Sequence, residues 1–480
     1  MTRLYRLADI VAVACAALGL FVLVLGGFVM YVGPVPIRVH AAGRILFVAA
    51  ALVAIRHAAH PGDPLHRRLA RLVRSGEDSP PSIAREALIS RVAALATGYF
   101  AVVTVGLYLP AVGFTVSPDP LLDLPARFDA GWYATIALDG YSFQGRFDRQ
   151  QNLAFFPAFP MIERVVAYPF GAFAPALPKE RRIARLLWGG VVISVAAFAW
   201  AAVYFWRLAR EMIGAERAWA AVAFIAAYPF AVFFSAAYSE SLFLLGVVAA
   251  FYHFRRDEFV ASAGWGLLVG LTRPNGFLLS LVLAALIVEK WRAHQHTAPG
   301  EDPAPGKHPA PSQHPALITQ LVAVSAPGVG MLLYGVYLKH LTGWWFGWVR
   351  LQETWGRSYS GLAPLERAYG WLTDEGVLSV VRNIPYDTLN SLAVIFALLM
   401  LWPVVRRTGL ACAVFVVVNL IPPLLAGGVL SMGRVTATIF PLFLALAAIV
   451  PPRLVVPLVT AFAMGQGLAA VLFFTWRPLF

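Results

Sequence analysis

The chain has 480 residues, of which 59% are hydrophobic and 13% are charged, and its formal net charge is +13. Soluble domains contain about a quarter charged residues, so one water-soluble core is excluded. Repeated apolar runs of roughly 17–25 residues indicate membrane spans instead. No nucleic-acid partner is expected, because no basic domain with interleaved aromatic residues is present. The sequence therefore predicts an all-α polytopic membrane protein.

The N-terminal part, residues 1–91, is predicted to be a pair of transmembrane helices followed by a basic loop. Two arginines precede the first apolar run, 8–32, which is long and has no small-residue cleavage site after it, so it is expected to remain as a span. The second span is predicted at 41–58. The loop 56–91 carries seven Arg against four acidic residues, which is typical of the cytoplasmic side.

The rest of the chain divides into a core at 92–290, a linker at 291–315 and a C-terminal part at 316–480. Eleven further spans are predicted, at 92–113, 184–206, 217–236, 238–254, 259–272, 275–291, 316–340, 389–405, 409–428, 435–450 and 454–475. Two of them are short and separated only by the letters RPN, so they are either two spans or one broken helix. The linker is rich in Pro and His, which favours a flexible cytoplasmic segment over a metal-binding tract.

Orientation follows from the short basic breaks at 207–217, 255–258 and 406–407. Alternate threading of the thirteen spans puts them all on one side, which the positive-inside rule assigns to the cytoplasm. The protein is then expected in the inner (plasma) membrane with its N-terminus inside. The loops 114–183 and 341–388 are expected outside, together with several isolated polar groups. An enzyme site or an outward transport vestibule requires such a shared face.

The stretch RFDAGWYATIALDGY, residues 127–141, is the most polar motif of the first external loop. Asp129 is either a helix N-cap or a carboxylate that takes a proton from an attacking hydroxyl. Trp132 and Tyr133 are either interfacial anchors or rings that stack on a sugar. Asp139 is interpreted as a turn residue before Gly140.

Four more polar residues have two interpretations each. Asn152, in NLAFFPAFP, either caps this Pro-broken segment or contacts a ligand. Glu240 starts a helix in YSESLFLL, where an acid is favoured by the helix dipole, or it serves the site. Arg273, in LTRPNG, and Arg434, in SMGRVTATIFPLF, each require an anionic partner within an apolar environment, which is either an acid of the chain or a ligand.

Other features point to no metal or disulfide chemistry. Cys15 and Cys412 lie in apolar runs, and no His/Cys group has zinc spacing. The Trp-rich segment 343–357 is either part of an aromatic belt or a surface that receives a lipid chain or sugar rings. No cofactor is predicted, although a divalent cation shared between a phosphate and Asp129 or Glu240 remains an option.

Taken in order, the pieces RFDAGWYATIALDGY, NLAFFPAFP, YSESLFLL, LTRPNGFLL, WGR and GR…FPLF resemble the bacterial relatives of the GPI mannosyltransferase 2 (PIG-V type) family, over about 127–443. These are GT-C class glycosyltransferases. The chain differs from the family's usual pattern at Phe128, where Trp is usual, and at Val435, where Tyr is usual. The resemblance implies a GT-C-type fold with about thirteen transmembrane helices and a large extracytoplasmic loop.

The resemblance also implies a reaction: a sugar, mannose by family, passes from a polyprenyl-phosphate donor to an extracytoplasmic hydroxyl of a glycolipid, glycan or protein, with inversion. Asp129 is then the general base. The expected phosphate-binding residues are Arg127, Arg273 and Arg434, and the expected substrate-binding residues are Trp132, Tyr133, Asn152, Glu240, Asn275 and Arg357. A transporter or flippase of lipid-linked sugars is the main alternative, and a non-catalytic scaffold is a third. The long external loop and the lack of clear internal halves favour the enzyme.

Overall fold

The structure, a computed structural model, describes residues 79–296, 314–359, 361–374 and 376–479, together with 41–59, the strands at 28–32 and 35–39, and scattered positions from 8 to 22. Within these residues, eight segments are long and apolar enough to cross a membrane: Ala42–Ala59, Pro80–Val105, Lys179–Ile213, Pro274–Arg292, Leu317–Thr342, Pro385–Thr408, Leu410–Gly427 and Pro452–Phe474. The prediction of an all-α polytopic membrane protein is confirmed.

In the part of the chain that the structure describes, these eight segments are fewer than the thirteen predicted spans. One further crossing results if Ala215–Ala227 and Pro229–Ser235, bent by 79°, form one span. Three other predicted spans correspond to shorter helices, Glu240–Arg255, Phe259–Gly270 and Phe440–Ile449. A helix needs about 20 residues to cross the hydrocarbon core, so these three do not cross it alone. The hydropathy pattern predicted each of these short apolar helices as a complete span.

Shorter elements connect the long ones. They are the helices Pro120–Asp123, Ala130–Asp139, Ala158–Ala167, Gly347–Leu351, Ala363–Asp374, Val377–Asn383 and Met432–Ala437, and the 3₁₀ turns Leu109–Ala111, Asn152–Ala154, Tyr168–Phe170, Pro274–Leu278 and Gln352–Trp355. Two long helices extend beyond their spans, as Leu279–His296 and His314–Thr342. Most of the short elements lie in the two loops predicted to be external.

The end of the first predicted span differs from expectation. The described positions between 8 and 22 are helical, but Phe28–Val32 is a strand that pairs antiparallel with Val35–Val39. The prediction of helix up to residue 32 is therefore wrong for its last five residues. The physical reason lies in the sequence FVMYV, which is rich in β-branched and aromatic residues. It also follows the helix-weakening pair Gly26-Gly27.

The helix predicted at 92–113 is Pro80–Val105, and both of its ends have local causes. Ser79 and Ser82 form a reciprocal capping box, and Pro80 occupies the first turn, where its missing N–H costs nothing. Gly106, with a φ of 81°, ends the helix. Hydropathy missed the first twelve residues because the polar start contributes little apolar character.

The helix is broken at the RPN letters, as one of the two interpretations of that region required. Phe259–Gly270 ends there, Arg273 is extended with φ −150° and ψ 154°, and a 3₁₀ turn follows at Pro274–Leu278. The turn packs tightly on the preceding helix. A Cβ added to Gly276 would lie 2.1 Å from the carbonyl oxygen of Val269, so only glycine fits there. The break presents Arg273 at the end of a helix pair.

A buried arginine stabilises the 79° bend between Ala215–Ala227 and Pro229–Ser235. The Arg91 side chain is fully buried, and its guanidinium donates to the carbonyl oxygens of Ala226 and Ala231. Bending a helix frees such carbonyls, which cost free energy in an apolar interior unless they are paired. Arg91 therefore satisfies the backbone at the bend and has no role in the polar cluster described below.

Ion pairs gather at the end of the Glu240–Arg255 helix that lies away from Glu240. Arg256 Nη1 lies 2.8 Å from Glu211 Oε1, and Lys290 Nζ lies 2.5 Å from Asp257 Oδ1. Glu211, Arg256 and Asp257 belong to breaks that the threading placed on one side, and Lys290 lies at the end of the predicted span 275–291 on that side. The other end of the same helix carries the site. The structure therefore separates the two polar regions along the bundle, as the threading requires. Which region faces the cytoplasm remains a prediction.

Candidate active site

Asp129 lies at the start of the helix Ala130–Asp139, but its side chain does not cap it. Its carboxylate accepts no hydrogen bond from the free N–H groups of the first turn. Instead, Asp129 Oδ2 accepts a hydrogen bond of 2.5 Å from Arg434 Nη1, and the two side chains are 20% and 11% exposed. The capping interpretation is therefore not supported for this residue. The carboxylate instead pairs with Arg434, which is distant in sequence.

Glu240 is the buried centre of the charged cluster. Its side chain is fully buried. Oε1 accepts from Arg273 Nη1 at 2.5 Å and from Arg434 Nε. Two guanidinium groups thus share one carboxylate, and a buried carboxylate is tolerated only with such partners.

Arg434 connects the two acids. Its Nη1 donates to Asp129 and its Nε donates to Glu240, so both edges of the planar group are used. The guanidinium also lies over the ring of Tyr238, at 4.6 Å from the centroid. A fork of fixed donors suits this bridging geometry better than a lysine would. The four charged residues Asp129, Glu240, Arg273 and Arg434 therefore form one continuous network.

Two strained backbone positions flank this network. Phe128, immediately before Asp129, has a φ of 49°, and Ser431, at the start of the short helix that carries Arg434, has a φ of 60°. Non-glycine residues rarely adopt such angles, and they cost free energy that the surrounding structure must offset. Phe128 is fixed by packing, since its ring lies 4.5 Å from that of Trp476. The strain turns Asp129 and Arg434 toward each other.

The network lies at the wall of a cavity of about 450 Å³. Its charged lining residues are Asp129, Arg273, Arg357 and Arg434, and its other lining residues are Tyr133, Gln150, Ala154, Phe155, Phe156, Thr272, Pro274, Asn275, Gln352, Thr354, Trp355, Pro423, Leu430, Ser431 and Val435. Both predicted external loops contribute to this wall. Cavities of this size with a few convergent polar groups are typical of small-molecule sites.

Aromatic rings form one side of the cavity. Phe155 stacks on Trp132 at 5.9 Å and meets Tyr133 edge-on at 5.1 Å, and Trp355 lies 5.8 Å from Phe155. The hydroxyls of Tyr133 and Ser239 lie 3.0 Å apart and share a hydrogen bond. Burial, followed by the nearby charge of Glu240, raises the pKa of Tyr133 to about 12, so this hydroxyl stays protonated.

Four predicted site residues, Arg127, Trp132, Asn152 and Glu240, do not line the cavity. Arg127 is buried, and its guanidinium donates to Asp123 Oδ2 at 3.0 Å and to the carbonyl oxygen of Phe474 at 2.6 Å. Asn152 closes a turn, because its Nδ2 donates to the carbonyl oxygen of Gly140 and its Oδ1 accepts from a backbone N–H. Trp132 lies behind Phe155. These positions favour structural roles for Arg127 and Asn152.

The other predicted residues all line the cavity. Asn275 lines it, and its Nδ2 donates to Asn419 Oδ1 at 2.7 Å. Arg357 also lines it. Sequence reasoning missed Tyr238, whose hydroxyl accepts from the Asp129 N–H at 3.0 Å and donates to the Arg127 carbonyl at 3.2 Å. Its position two residues before Glu240 was the available signal.

A second buried acid lies outside the charged network. Glu163 is fully buried, and neither of its carboxyl oxygens has a hydrogen-bond partner among the described residues. It packs against a notch in the helix Lys179–Ile213, since a Cβ added to Gly190 would lie 2.8 Å from Glu163 Oε1. Burial raises the pKa of Glu163 well above its ordinary value, which favours the neutral form of the carboxyl group.

The arrangement does not favour a metal ion between the two network acids. Among the described residues, no group of three or more His, Cys, Asp or Glu side chains is placed to bind one. Asp129 and Glu240 both contact Arg434, so a cation bound between them would have to displace a guanidinium.

Fold and site together define a class: a polytopic helical membrane protein whose charged, aromatic-walled cavity lies at one end of the bundle. Comparison with known families is consistent with that class. The family model described as mannosyltransferase (PIG-V) matches residues 119–290. No curated protein matches the chain significantly.

The matched residues include Asp129, Glu240 and Arg273, three of the four members of the charged network. The resemblance to PIG-V-like mannosyltransferases is thereby confirmed over this region. It supports glycosyltransferase activity in a membrane protein, and the family implies a lipid-linked sugar donor and an acceptor.

Proposed function

We propose that the protein transfers mannose from a polyprenyl-phosphate donor to an acceptor hydroxyl on the extracytoplasmic side, with inversion at the sugar carbon. The acceptor is a glycolipid, a glycan or a protein hydroxyl. Asp129 is the general base. The observation that carries the proposal is the state of its carboxylate, which lines the cavity with one oxygen fixed and the other unengaged.

The two oxygens of Asp129 have different environments. Oδ2 is bound by Arg434 at 2.5 Å, which fixes the orientation of the carboxylate. Oδ1 accepts no hydrogen bond from any described residue, and Asp129 retains 20% exposure in a cavity wall. A general base must lie within hydrogen-bond reach of the proton that it abstracts. Oδ1 is available to accept a hydrogen bond from an acceptor hydroxyl in the cavity, because no described residue donates to it.

The reaction then proceeds in one displacement. The acceptor oxygen attacks the anomeric carbon, its proton passes to Asp129 Oδ1, and the bond between the anomeric carbon and the phosphate oxygen breaks. The lipid phosphate leaves with the electron pair, and no covalent sugar–enzyme intermediate forms, so the configuration inverts. Guanidinium groups at the cavity wall stabilise the charge that develops on the leaving phosphate. The aromatic side formed by Phe155 and Trp355 stacks on apolar sugar faces.

The extracytoplasmic location rests on the separation of polar regions along the bundle. The site lies at the Glu240 end of the Glu240–Arg255 helix, and the pairs that involve Arg256 and Lys290 lie at the other end. Arg256 and its partner Glu211 lie in the breaks 255–258 and 207–217, which the alternate threading places on the same side as the basic loop 56–91, and basic loops are typical of the cytoplasmic side. A lipid-linked donor also suits a site outside the cell, where nucleotide sugars are absent.

The family match favours this transferase over the transporter or flippase of lipid-linked sugars. Both would use an outward cavity and buried arginines. A transporter, however, has no need of a carboxylate with one oxygen held and the other open to an acceptor. The transferase is therefore the proposed function, and transport is an alternative outcome of the test below.

The direct test is an assay of the purified protein in nanodiscs with polyprenyl-phosphate mannose and a panel of glycolipid, glycan and peptide acceptors. We expect a mannosylated product from at least one acceptor, released polyprenyl phosphate in equal amount, and an inverted anomeric configuration by NMR. A nucleotide sugar in place of the lipid donor should give no product. Movement of the intact lipid-linked sugar across vesicles without transfer would instead establish the transporter.

A further inference from the structure

The three cavity arginines differ in how their charge is neutralised. Arg273 pairs with Glu240, and Arg434 pairs with both Glu240 and Asp129. Arg357 has no acid at ion-pair distance among the described residues, and its guanidinium makes no hydrogen bond there. Three guanidiniums against two carboxylates leave one positive charge, and Arg357 carries it at the cavity wall.

Local structure shows how Arg357 is placed in the wall. The 3₁₀ turn Gln352–Trp355 ends at Gly356, whose φ of 71° is in the left-handed region that favours glycine. The Arg357 N–H then closes the turn on the carbonyl oxygen of Gln352 at 3.0 Å. A Cβ added to Gly427 would lie 3.4 Å from Arg357 Cγ, so the side-chain stem lies against a glycine of the helix Leu410–Gly427.

The electrostatic environment of Arg357 favours the binding of an anion. Burial, followed by the charges of Arg434 and Arg273, lowers the pKa of Arg357 to about 10, with the charge of Asp129 opposing. Three cationic groups therefore converge on one cavity and repel one another. A bound phosphate would relieve that repulsion and replace the water lost on burial. Guanidinium is the side chain best matched to phosphate geometry.

We infer that Arg357 is the main contact for the phosphate of the lipid donor, while Arg273 and Arg434 mainly hold the acids in place. This rests on the proposed function for the identity of the lipid, and it assigns the phosphate to the second external loop. The contact survives the reaction, because the same phosphate leaves as polyprenyl phosphate. Arg357 thus binds both donor and product.

The test is the affinity of the full-length protein in nanodiscs for polyprenyl phosphate, measured for wild type, Arg357→Gln and Arg357→Lys. Loss of a charge-assisted contact should weaken binding by about 10- to 100-fold in the Gln variant, and Lys should recover only part. Arg350→Gln is the matched control. That arginine belongs to the same loop but lies over the ring of Trp344 and outside the cavity, so its variant should bind normally.

Inorganic phosphate serves as a second probe, to separate a lipid-phosphate site from a general anion site. We expect it to compete only weakly, since it lacks the apolar chain. A second measurement covers the case in which Arg357→Gln fails to fold. In the wild type, polyprenyl phosphate should protect Arg357, and not Arg350, from an arginine-specific dicarbonyl reagent, as read by mass spectrometry.

Equal affinity of Arg357→Gln and wild type for polyprenyl phosphate, or no protection of Arg357, would overturn the inference. Competition by inorganic phosphate as strong as by the lipid would also overturn it, in favour of a general anion site. Failure of the proposed function is distinguishable from these outcomes. Lipid-phosphate binding that depends on Arg357, without sugar transfer to any acceptor, would refute the reaction and leave the phosphate assignment intact.

Discussion

Replacing Asp129 by Asn is the most discriminating perturbation of the site. Asn has nearly the same size, and its amide oxygen can still accept the hydrogen bond from Arg434. What it cannot do is take a proton from an acceptor hydroxyl. The Asp129–Arg434 contact is 2.5 Å long and mostly buried, so its charge matters, but Glu240 continues to neutralise Arg434. The effect of the substitution on folding stability can therefore be separated from its effect on turnover.

The two expected effects differ in size. Replacing the carboxylate by a neutral amide leaves the hydrogen bond from the charged Arg434 but removes the ion pair, which should lower the free energy of unfolding by about 1 kcal/mol. Loss of the general base should lower turnover by about 10²- to 10⁴-fold, which is about 2.7–5.5 kcal/mol of barrier. The affinity for polyprenyl phosphate should change little, because Arg357 remains.

The assay is single-turnover transfer at saturating donor, with thermal unfolding and polyprenyl-phosphate binding measured on the same preparations. Asp139→Asn is the matched control. Asp139 pairs with Lys179 at 2.8 Å on the surface and is 53% exposed, so its variant should behave as wild type in all three measurements. A folded Asp129→Asn protein that transfers sugar within a few-fold of the wild-type rate would refute the reasoning and remove Asp129 from the chemistry.

Further predictions concern stability and orientation. Glu240→Ala leaves its two guanidinium partners without a buried counter-charge, so it should cost about 3–5 kcal/mol, read as a large fall in the unfolding midpoint; an unchanged midpoint would contradict the pairing. For Glu163, whose folded-state pKa is raised, the wild type should lose up to about 1.4 kcal/mol of stability per pH unit as pH rises above its ordinary pKa of 4.5, and be unaffected below it. Glu163→Gln should remove that decline, so variant and wild type should diverge from pH 5 to 7; parallel curves would show that Glu163 is ionised or hydrated. With both native cysteines replaced, Asp148→Cys should react with an impermeant thiol reagent on intact cells and Arg407→Cys should not; the reverse pattern would invert the topology.

The composition of the charged cluster could be predicted from sequence, but its pairing could not. Isolated charges in apolar runs, such as Arg273 and Arg434, are costly alone, and alternate threading put them on one face with Asp129 and Glu240. Local pattern gives no information on which arginine meets which acid. That choice depends on how segments 33 to 305 residues apart in sequence approach each other.

Arg127 shows why proximity in a motif does not imply proximity in a site. It lies two residues before Asp129, yet its guanidinium turns toward Asp123 and the backbone near the C-terminus. The positive φ of Phe128 changes the chain direction between them. No propensity rule predicts a left-handed Phe. The same limit applies to helix ends, where the apolar run at 92–113 gave no sign that the helix begins at Pro80.

The buried position of Glu240 has a consequence for the proposed reaction. An Arg434 free to rotate would let the Asp129 carboxylate turn either oxygen toward the acceptor, or pair fully with both oxygens and block it. Glu240 is fully buried, so the substrate cannot contact it, and it binds the Nε side of Arg434. Arg434 can then engage only Asp129 Oδ2, and Oδ1 stays open. An acid outside the cavity thus sets the geometry of the acid inside it, because positioning contributes as much to such a displacement as the chemical identity of the base.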